Sequence, residues 1–380
     1  MRHSNGKLAQ SVTLVAFLGI SAMASAQTAT GDDTRPAQVE IQARAIPEGA
    51  QCTYIRVDKL QVSMKDGLPV VNGEVGGSNF PMVVDTGSKF TKLGMQQAER
   101  MRLNLHHMAQ TETDPSGKEL QAYSAYVNGL RLGRYGRHRM AIEVTQMPGQ
   151  NDFAVGADVL LNTYQRDVEI SLANHEIKFF APKNCDDSFL GYWDDNASVI
   201  PVSDLADGDP RQIVTVQVDG HEMTAMIDSG SPHSILDVNA ARRIGIYPMT
   251  VGVFQARFDG TVHHQAPQMQ VLLRRFAIGD ETIEHPSIAI ADLWGWLPAS
   301  ARWEQLELET QMWVAANSMN WLPSAPSNEF TFEPPDMILG ADFLRAHRVL
   351  LALSQRKMYF SYVGGRVFGG STPIVGAPQS

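Results

Sequence analysis

The sequence predicts an all-β protein built as two equivalent lobes, and three observations carry that expectation. The first is an internal repeat. Val83-Val84-Asp85-Thr86-Gly87-Ser88 returns as Met226-Ile227-Asp228-Ser229-Gly230-Ser231, so that two apolar residues twice deliver an aspartate into a tight turn. The second is a downstream landmark. Ala154-Val155-Gly156-Ala157-Asp158-Val159-Leu160 follows the first aspartate, and Ile338-Leu339-Gly340-Ala341-Asp342-Phe343-Leu344 follows the second. The third is composition. The 31 glycines and 20 prolines punctuate short runs of β-branched residues, which favours strands and turns over long helices. A chain of 380 residues is long enough for two cores of ordinary size.

In chain order, residues 1–26 read as a secretory signal peptide. Arg2, His3 and Lys7 make a basic start, Val12 to Met23 is a short apolar run, and Ala24-Ser25-Ala26 is a small-residue cleavage site. That run is too short for a membrane span, and no other stretch is long and apolar enough for one. An exported protein is therefore expected, cleaved near Ala26 and destined for a periplasm or the medium. Residues 27–50 are polar and form either a flexible lead-in or a short pro-segment. Lobe one is expected over 51–184. Ile55, Val57 and Leu60, then Val70-Val71, then Pro81 to Val84 read as strands, and Met95, Ala98, Met101 and Leu105 step as a short helix. Val168-Glu169-Ile170 leads into a closing hairpin near Asn174.

Residues 185–200 read as a linker, and lobe two repeats the plan over 201–363, with strands on either side of Asp219-Gly220. Motif aspartate and landmark glycine are 71 residues apart in repeat one and 112 in repeat two. The surplus is an insertion at 292–335 that holds five of the six tryptophans, as either a small subdomain or a wall of a substrate cleft. Residues 364–380 read as a flexible tail.

The repeat extends further. Ala98-Glu99-Arg100 and Ala241-Arg242-Arg243 lie at equal offsets from their aspartates, and Gly117 and Gly260 each lie 32 residues beyond theirs. The full pattern, apolar-apolar-Asp-[Ser/Thr]-Gly-Ser with a hydroxyl three residues on and a later apolar-apolar-Gly-Ala-Asp-x-Leu, resembles the retropepsin-like aspartic proteases. The resemblance covers about residues 55–362 apart from the insertion, as if a retropepsin dimer were fused into one chain. It implies two pseudo-symmetric β-barrel lobes with a cleft between them, a monomer, and a peptide or protein substrate bound in extended form. Asp85 and Asp228 would be the catalytic pair. Two close carboxylates cannot both ionise comfortably, so one stays charged to take a proton from water while its neutral partner polarises the scissile carbonyl.

The resemblance assigns the remaining residues supporting tasks. Thr86 and Ser229 would bond across the lobe interface, Gly87 and Gly230 would let the turns approach, and Ser88 and Ser231 would orient the carboxylates. Gly156 and Gly340 would leave room beneath the active-site turns. Asp158 and Asp342 sit in the first turn after those glycines, a position that suits helix N-terminal capping or an ion pair. Ser116-Gly117 and Asp259-Gly260 would be the tips of two flaps. A catalytically silent peptide-binding module on the same fold is the rival expectation.

Net charge is −10, and −12 once residues 1–26 are removed, which argues against nucleic acid or an anionic membrane as partner. Cys52 and Cys185 bracket repeat one. They form either a disulfide, if the first and last strands of the lobe lie side by side, or two free thiols. Neither these cysteines nor the pairs His106-His107 and His263-His264 have metal-ligand spacing, so no metal or cofactor is expected.

Overall fold

The computed structural model describes residues 51–113, 119–146, 153–161, 166–247, 250–257, 269–294, 334–368 and 372–373. Residues 1–50, the hairpin tips at Ser116, Gly117, Asp259 and Gly260, the body of the insertion at 295–333, His263-His264 and most of the tail lie outside the described residues.

The chain forms two β-sheet lobes with short helices, and the repeat in sequence is a repeat in space. In lobe one, strand Ser78–Val84 ends at Asp85, strand Lys92–Gly94 follows, and helix Met95–Arg100 follows that. Lobe two has His221–Ile227, Ile235–Asp237 and Val238–Arg243 at the same offsets from Asp228. Each aspartate-delivering strand pairs in parallel with the strand before the landmark glycine, Phe153–Val155 in one lobe and Met337–Leu339 in the other. The doublets at the aspartate explain the register. Val84 and Ile227 enter the main core, while Val83 and Met226 enter small clusters on the opposite face, so both faces are covered and a continuous apolar run is needed.

Helix Met95–Arg100 is shorter than its apolar steps predict. Arg102 takes a left-handed conformation at φ 52°, and the Met101, Arg102 and Leu103 amides bond back to Gln97, Glu99 and Ala98, which ends the helix. Strands Asp209–Val218 and His221–Ile227 form a hairpin through Asp219-Gly220, both at positive φ. The stems of the two central hairpins are antiparallel pairs, Leu105–Thr113 with Glu119–Leu132 and Val253–Arg257 with Met269–Leu272.

A third, six-stranded sheet joins the lobes. Its order is Thr53–Gln61, Glu176–Lys183, Asp167–Ser171, His347–Ala352, Lys357–Tyr362 and Ser198–Pro201, three strands from each half. The halves meet at Val168↔Leu351, Glu169↔Leu350 and Ile170↔Val349. Ser198–Pro201, which reads as linker in the sequence, is an edge strand here because Lys357–Tyr362 offers it a free ladder. At the seam the buried Glu169 carboxylate accepts from Lys178 (3.0 Å), Arg348 (3.1 Å) and the Tyr192 hydroxyl (2.5 Å), so its charge is fully matched.

Cys52 and Cys185 are joined in a disulfide. Thr53 faces Lys183 in the ladder, so the two cysteines flank the ends of adjacent strands. The bond closes a loop of 133 residues. Replacing both cysteines by alanine is expected to lower stability by about 3 kcal/mol, read as a shift in the urea unfolding midpoint.

Candidate active site

The two Asp-[Ser/Thr]-Gly-Ser turns face each other across the lobe interface. The Asp85 amide donates to the Val155 carbonyl (3.0 Å) and the Asp228 amide to Leu339 (2.9 Å), which fixes the same exit from each strand. Thr86 and Ser229 then make four buried hydrogen bonds across the interface, two with each other and two to backbone carbonyls of the opposite strand. The Thr86 amide donates to Ser229 Oγ (3.0 Å) and the Ser229 amide to Thr86 Oγ1 (3.0 Å). Thr86 Oγ1 donates to the Ile227 carbonyl (2.9 Å) and Ser229 Oγ to Val84 (2.7 Å). At about 1 kcal/mol net each, these bonds weld the turns into one unit.

The weld brings both carboxylates to the interface, where Asp85 is 0 % and Asp228 5 % exposed. Each lies on the other lobe's glycine. A Cβ on Gly87 would stand 2.2 Å from Asp228 Cγ, and one on Gly230 would stand 2.3 Å from Asp85 Cγ. The Gly230 amide donates to Asp228 Oδ1 (2.8 Å).

Beneath each turn the landmark glycine passes under backbone. A Cβ on Gly156 would meet the Phe90 carbonyl carbon at 2.4 Å, and one on Gly340 the His233 oxygen at 2.3 Å. Asp158 and Asp342 stand in the first turn of their helices, whose N-caps Gly156 and Gly340 make no side-chain bond, and Asp342 Oδ1 accepts from the Phe343 amide (2.8 Å). They act as buckles. Thr91 Oγ1 donates to Asp158 Oδ1 (2.8 Å), and Ser234 Oγ donates to Asp342 Oδ1 (2.6 Å). The same hydroxyls accept from the Gly156 and Gly340 amides, at 3.1 and 2.9 Å. Burial pushes the Asp158 carboxyl up, and its Thr91 hydrogen bonds oppose that. Thr91 and Ser234 each lie six residues past their aspartate, a signal present in the sequence that only contact turns into a role.

The serines differ from the expectation. Ser231 Oγ donates to the His233 carbonyl (2.8 Å), because the Pro232-His233 turn brings that oxygen within reach. Ser88 Oγ is buried with no hydrogen-bond partner among the described residues. Sequence reasoning missed Arg211, which grips Asp209 through Nε (2.9 Å) and Nη2 (2.7 Å) and donates to the Gly87 carbonyl (3.4 Å). It thereby ties strand Asp209–Val218 to the opposite lobe's turn. Burial would raise the Asp209 carboxyl, but the hydrogen bonds and charge of Arg211 outweigh it and hold the group below its ordinary range.

A pocket of about 200 Å³ opens beside Gly87, Asp228 and Gly230. Its wall includes Leu293 and Trp294, the start of the expected insertion, and Trp294 Nε1 donates to the Pro335 carbonyl (2.9 Å) at the insertion's far end.

Just behind this wall, Asp237 caps helix Val238–Arg243 by accepting from the Asn239 (2.9 Å) and Ala240 (3.4 Å) amides, and Oδ2 accepts from Leu293 (3.2 Å). Burial, reinforced by the nearby Asp292 charge, pushes its pKa up to about 6 despite those bonds. The folded state therefore binds this proton more tightly than the unfolded chain, whose aspartates titrate near ~4. Stability supplied by the proton is present below pH ~4 and is lost as pH rises through about 6. Between those limits the loss is on the order of 2 kcal/mol, and Asp237→Asn is expected to flatten it in urea unfolding curves at pH 4.5 and 7.

An all-β bilobal chain whose two Asp-[Ser/Thr]-Gly-Ser turns interlock is the architecture of an acid protease. The sequence matches the aspartyl protease family over residues 71–159 and 214–343, more than half of the chain, and the chain belongs to that family. No curated protein matches it. Among solved structures it is similar to an aspartic proteinase from Irpex lacteus at 13 % identity, covering 83 % of this chain and 99 % of that one (TM-score 0.41). Basic 7S globulin from soybean matches at 10 % identity over 80 % of this chain and 94 % of that one (TM-score 0.36). A retropepsin-like aspartic protease from Rickettsia conorii matches at 16 % identity over 35 % of this chain and 93 % of that one (TM-score 0.27). Among the described residues, no helix is long and apolar enough to cross a membrane.

Proposed function

We propose that this protein is an exported aspartic endopeptidase acting on extended peptide segments. The observation that carries the reading is the reciprocal seat of Asp85 on Gly230 and of Asp228 on Gly87. It puts two carboxyl groups against one small space. With one proton shared between them, the charged member takes a proton from a water molecule as that water attacks the scissile carbonyl. The neutral member donates its proton toward the carbonyl oxygen. Collapse of the tetrahedral intermediate returns a proton to the leaving amine and breaks the C–N bond.

One chain supplies both aspartates, so the pair needs no second copy, which supports a monomer as the active species. The signal-like residues 1–26 and the disulfide support export, since disulfides persist in oxidising compartments. The test is incubation of a mixed peptide library with the purified protein from pH 3 to 8. Internal cleavage products are expected. Their absence over the whole range, with library peptides bound but intact, would favour a silent peptide-binding module instead.

A further inference from the structure

The pocket beside the turns has an uneven charge. Met226, Ile338, Leu293 and Trp294 give it an apolar wall, and the first three are buried. Around the rim stand Lys89, Lys92, Arg211 and Glu143. Two of the three cations already have carboxylates: Lys92 lies 3.6 Å from Glu143, and Arg211 lies 2.7 Å from Asp209. Lys89 has no carboxylate within ion-pair distance among the described residues. Its ammonium rests over the Phe90 ring at 5.4 Å, and its charge reaches Asp209 only at a distance, that carboxylate being held by Arg211. The corresponding place in lobe two, one step past Ser231, is Pro232, so the excess charge belongs to one side of the cleft. On a chain of net charge −10, a half-buried cation left over beside an apolar wall is a local exception with a direction.

We propose that Lys89 makes the cleft select a substrate carboxylate within two residues of the scissile bond, with the carbon stem beneath it lying on the Met226–Ile338–Trp294 wall. The inference rests on the reading of this cleft as a peptide-hydrolysing site. The carboxylate has two sources, a Glu or Asp side chain or the free C-terminus of a peptide. Ionic contacts at a partly wet rim change affinity modestly and act chiefly as discrimination, so the effect is a preference of about fivefold.

The experiment compares matched peptides. One set carries Glu or Gln at each of the two positions on either side of the cleaved bond, with amidated C-termini. A second set lacks acidic residues and ends in either a free acid or an amide. For each pair kcat/KM is measured on the purified wild-type protein and on Lys89→Met, and binding by fluorescence anisotropy on Asp85→Asn. A ratio of about five for Glu over Gln, or for acid over amide, supports the proposal and names the source. That ratio should shrink in 1 M salt and fall to about one in Lys89→Met; because it is taken within one protein preparation, partial misfolding of the variant does not affect it. Cleavage with every ratio near one, or a ratio that survives Lys89→Met, overturns the proposal and leaves the protease reading standing. A binding preference of the same size without wild-type cleavage overturns the protease reading and leaves the carboxylate selectivity. Neither binding nor cleavage overturns both.

Discussion

Asp85→Asn and Asp228→Asn are each expected to lower kcat by at least about 10³-fold while leaving the fold intact. Positioned proton transfer contributes roughly 10²–10⁴-fold per group, and here one group must accept a proton while the other donates one. Asparagine can do neither, although it matches aspartate in shape. The surrounding weld does not depend on the carboxyl charge: the four bonds that Thr86 and Ser229 make across the interface involve hydroxyls and backbone only. The Gly230 amide can still donate to an asparagine oxygen at position 228. Turnover on the best library peptide and urea unfolding should therefore separate cleanly, with activity lost and the midpoint held. Activity that persists in both variants would assign the cleavage to another site or another protein. Loss in only one would show that the two carboxylates do not act as a pair.

Gly87→Ala and Gly230→Ala are expected to be nearly as damaging to activity, by about 10²-fold or more, and to cost roughly 3 kcal/mol of stability as well. The reason is distance rather than backbone freedom. The added methyl would stand 2.2 or 2.3 Å from the carboxyl carbon of the opposite aspartate, where no van der Waals contact is possible. Either the carboxylate swings away or the interlocked turns separate, and each outcome breaks the alignment that catalysis needs. The effect should cross the interface: Gly87→Ala disturbs Asp228, and Gly230→Ala disturbs Asp85. Combining Gly87→Ala with Asp228→Asn should then lose little more activity than Asp228→Asn alone, a non-additivity that a double-mutant cycle reads directly. Additive losses would mean that the glycine acts somewhere other than on that carboxylate.

Much of this was legible in the chain itself. An apolar doublet ending at a polar turn, written twice with equal offsets, determines a strand delivering an aspartate in each half. The helices at 95–100 and 238–243 repeat that spacing to the residue. The family followed from the same letters, because each of them has a steric or hydrogen-bonding task that few substitutes fill. Local chemistry of this kind is periodic and short-range, so a sequence carries it openly.

Other features exist only once distant segments meet. Nothing near Val168 announces that it will pair with Leu351, because strand pairing is set by which backbone edges remain free after the lobes form. The same holds for Ser198–Pro201, a short Val-Ile run behind an Asp-rich stretch, which becomes a strand because a ladder is open to it. Asp158 and Asp342 sit at the start of helices and read as caps or ion-pair partners, and folding adds what the sequence does not show, a hydroxyl from the active-site turn on each carboxylate. Ser231 was expected to face the catalytic aspartate and instead serves the carbonyl of His233. Arg211 is one cation among many in the sequence, and becomes a tether on Gly87 only because folding lays its strand against the other lobe. The sequence by itself determined which residues could form an acid-protease site and where each half would turn. Tertiary structure decided which hydroxyl holds which carboxylate and which rim cation, among the described residues, has no carboxylate within ion-pair distance, because those outcomes depend on contacts between segments 60 to 190 residues apart, a competition that no local pattern records.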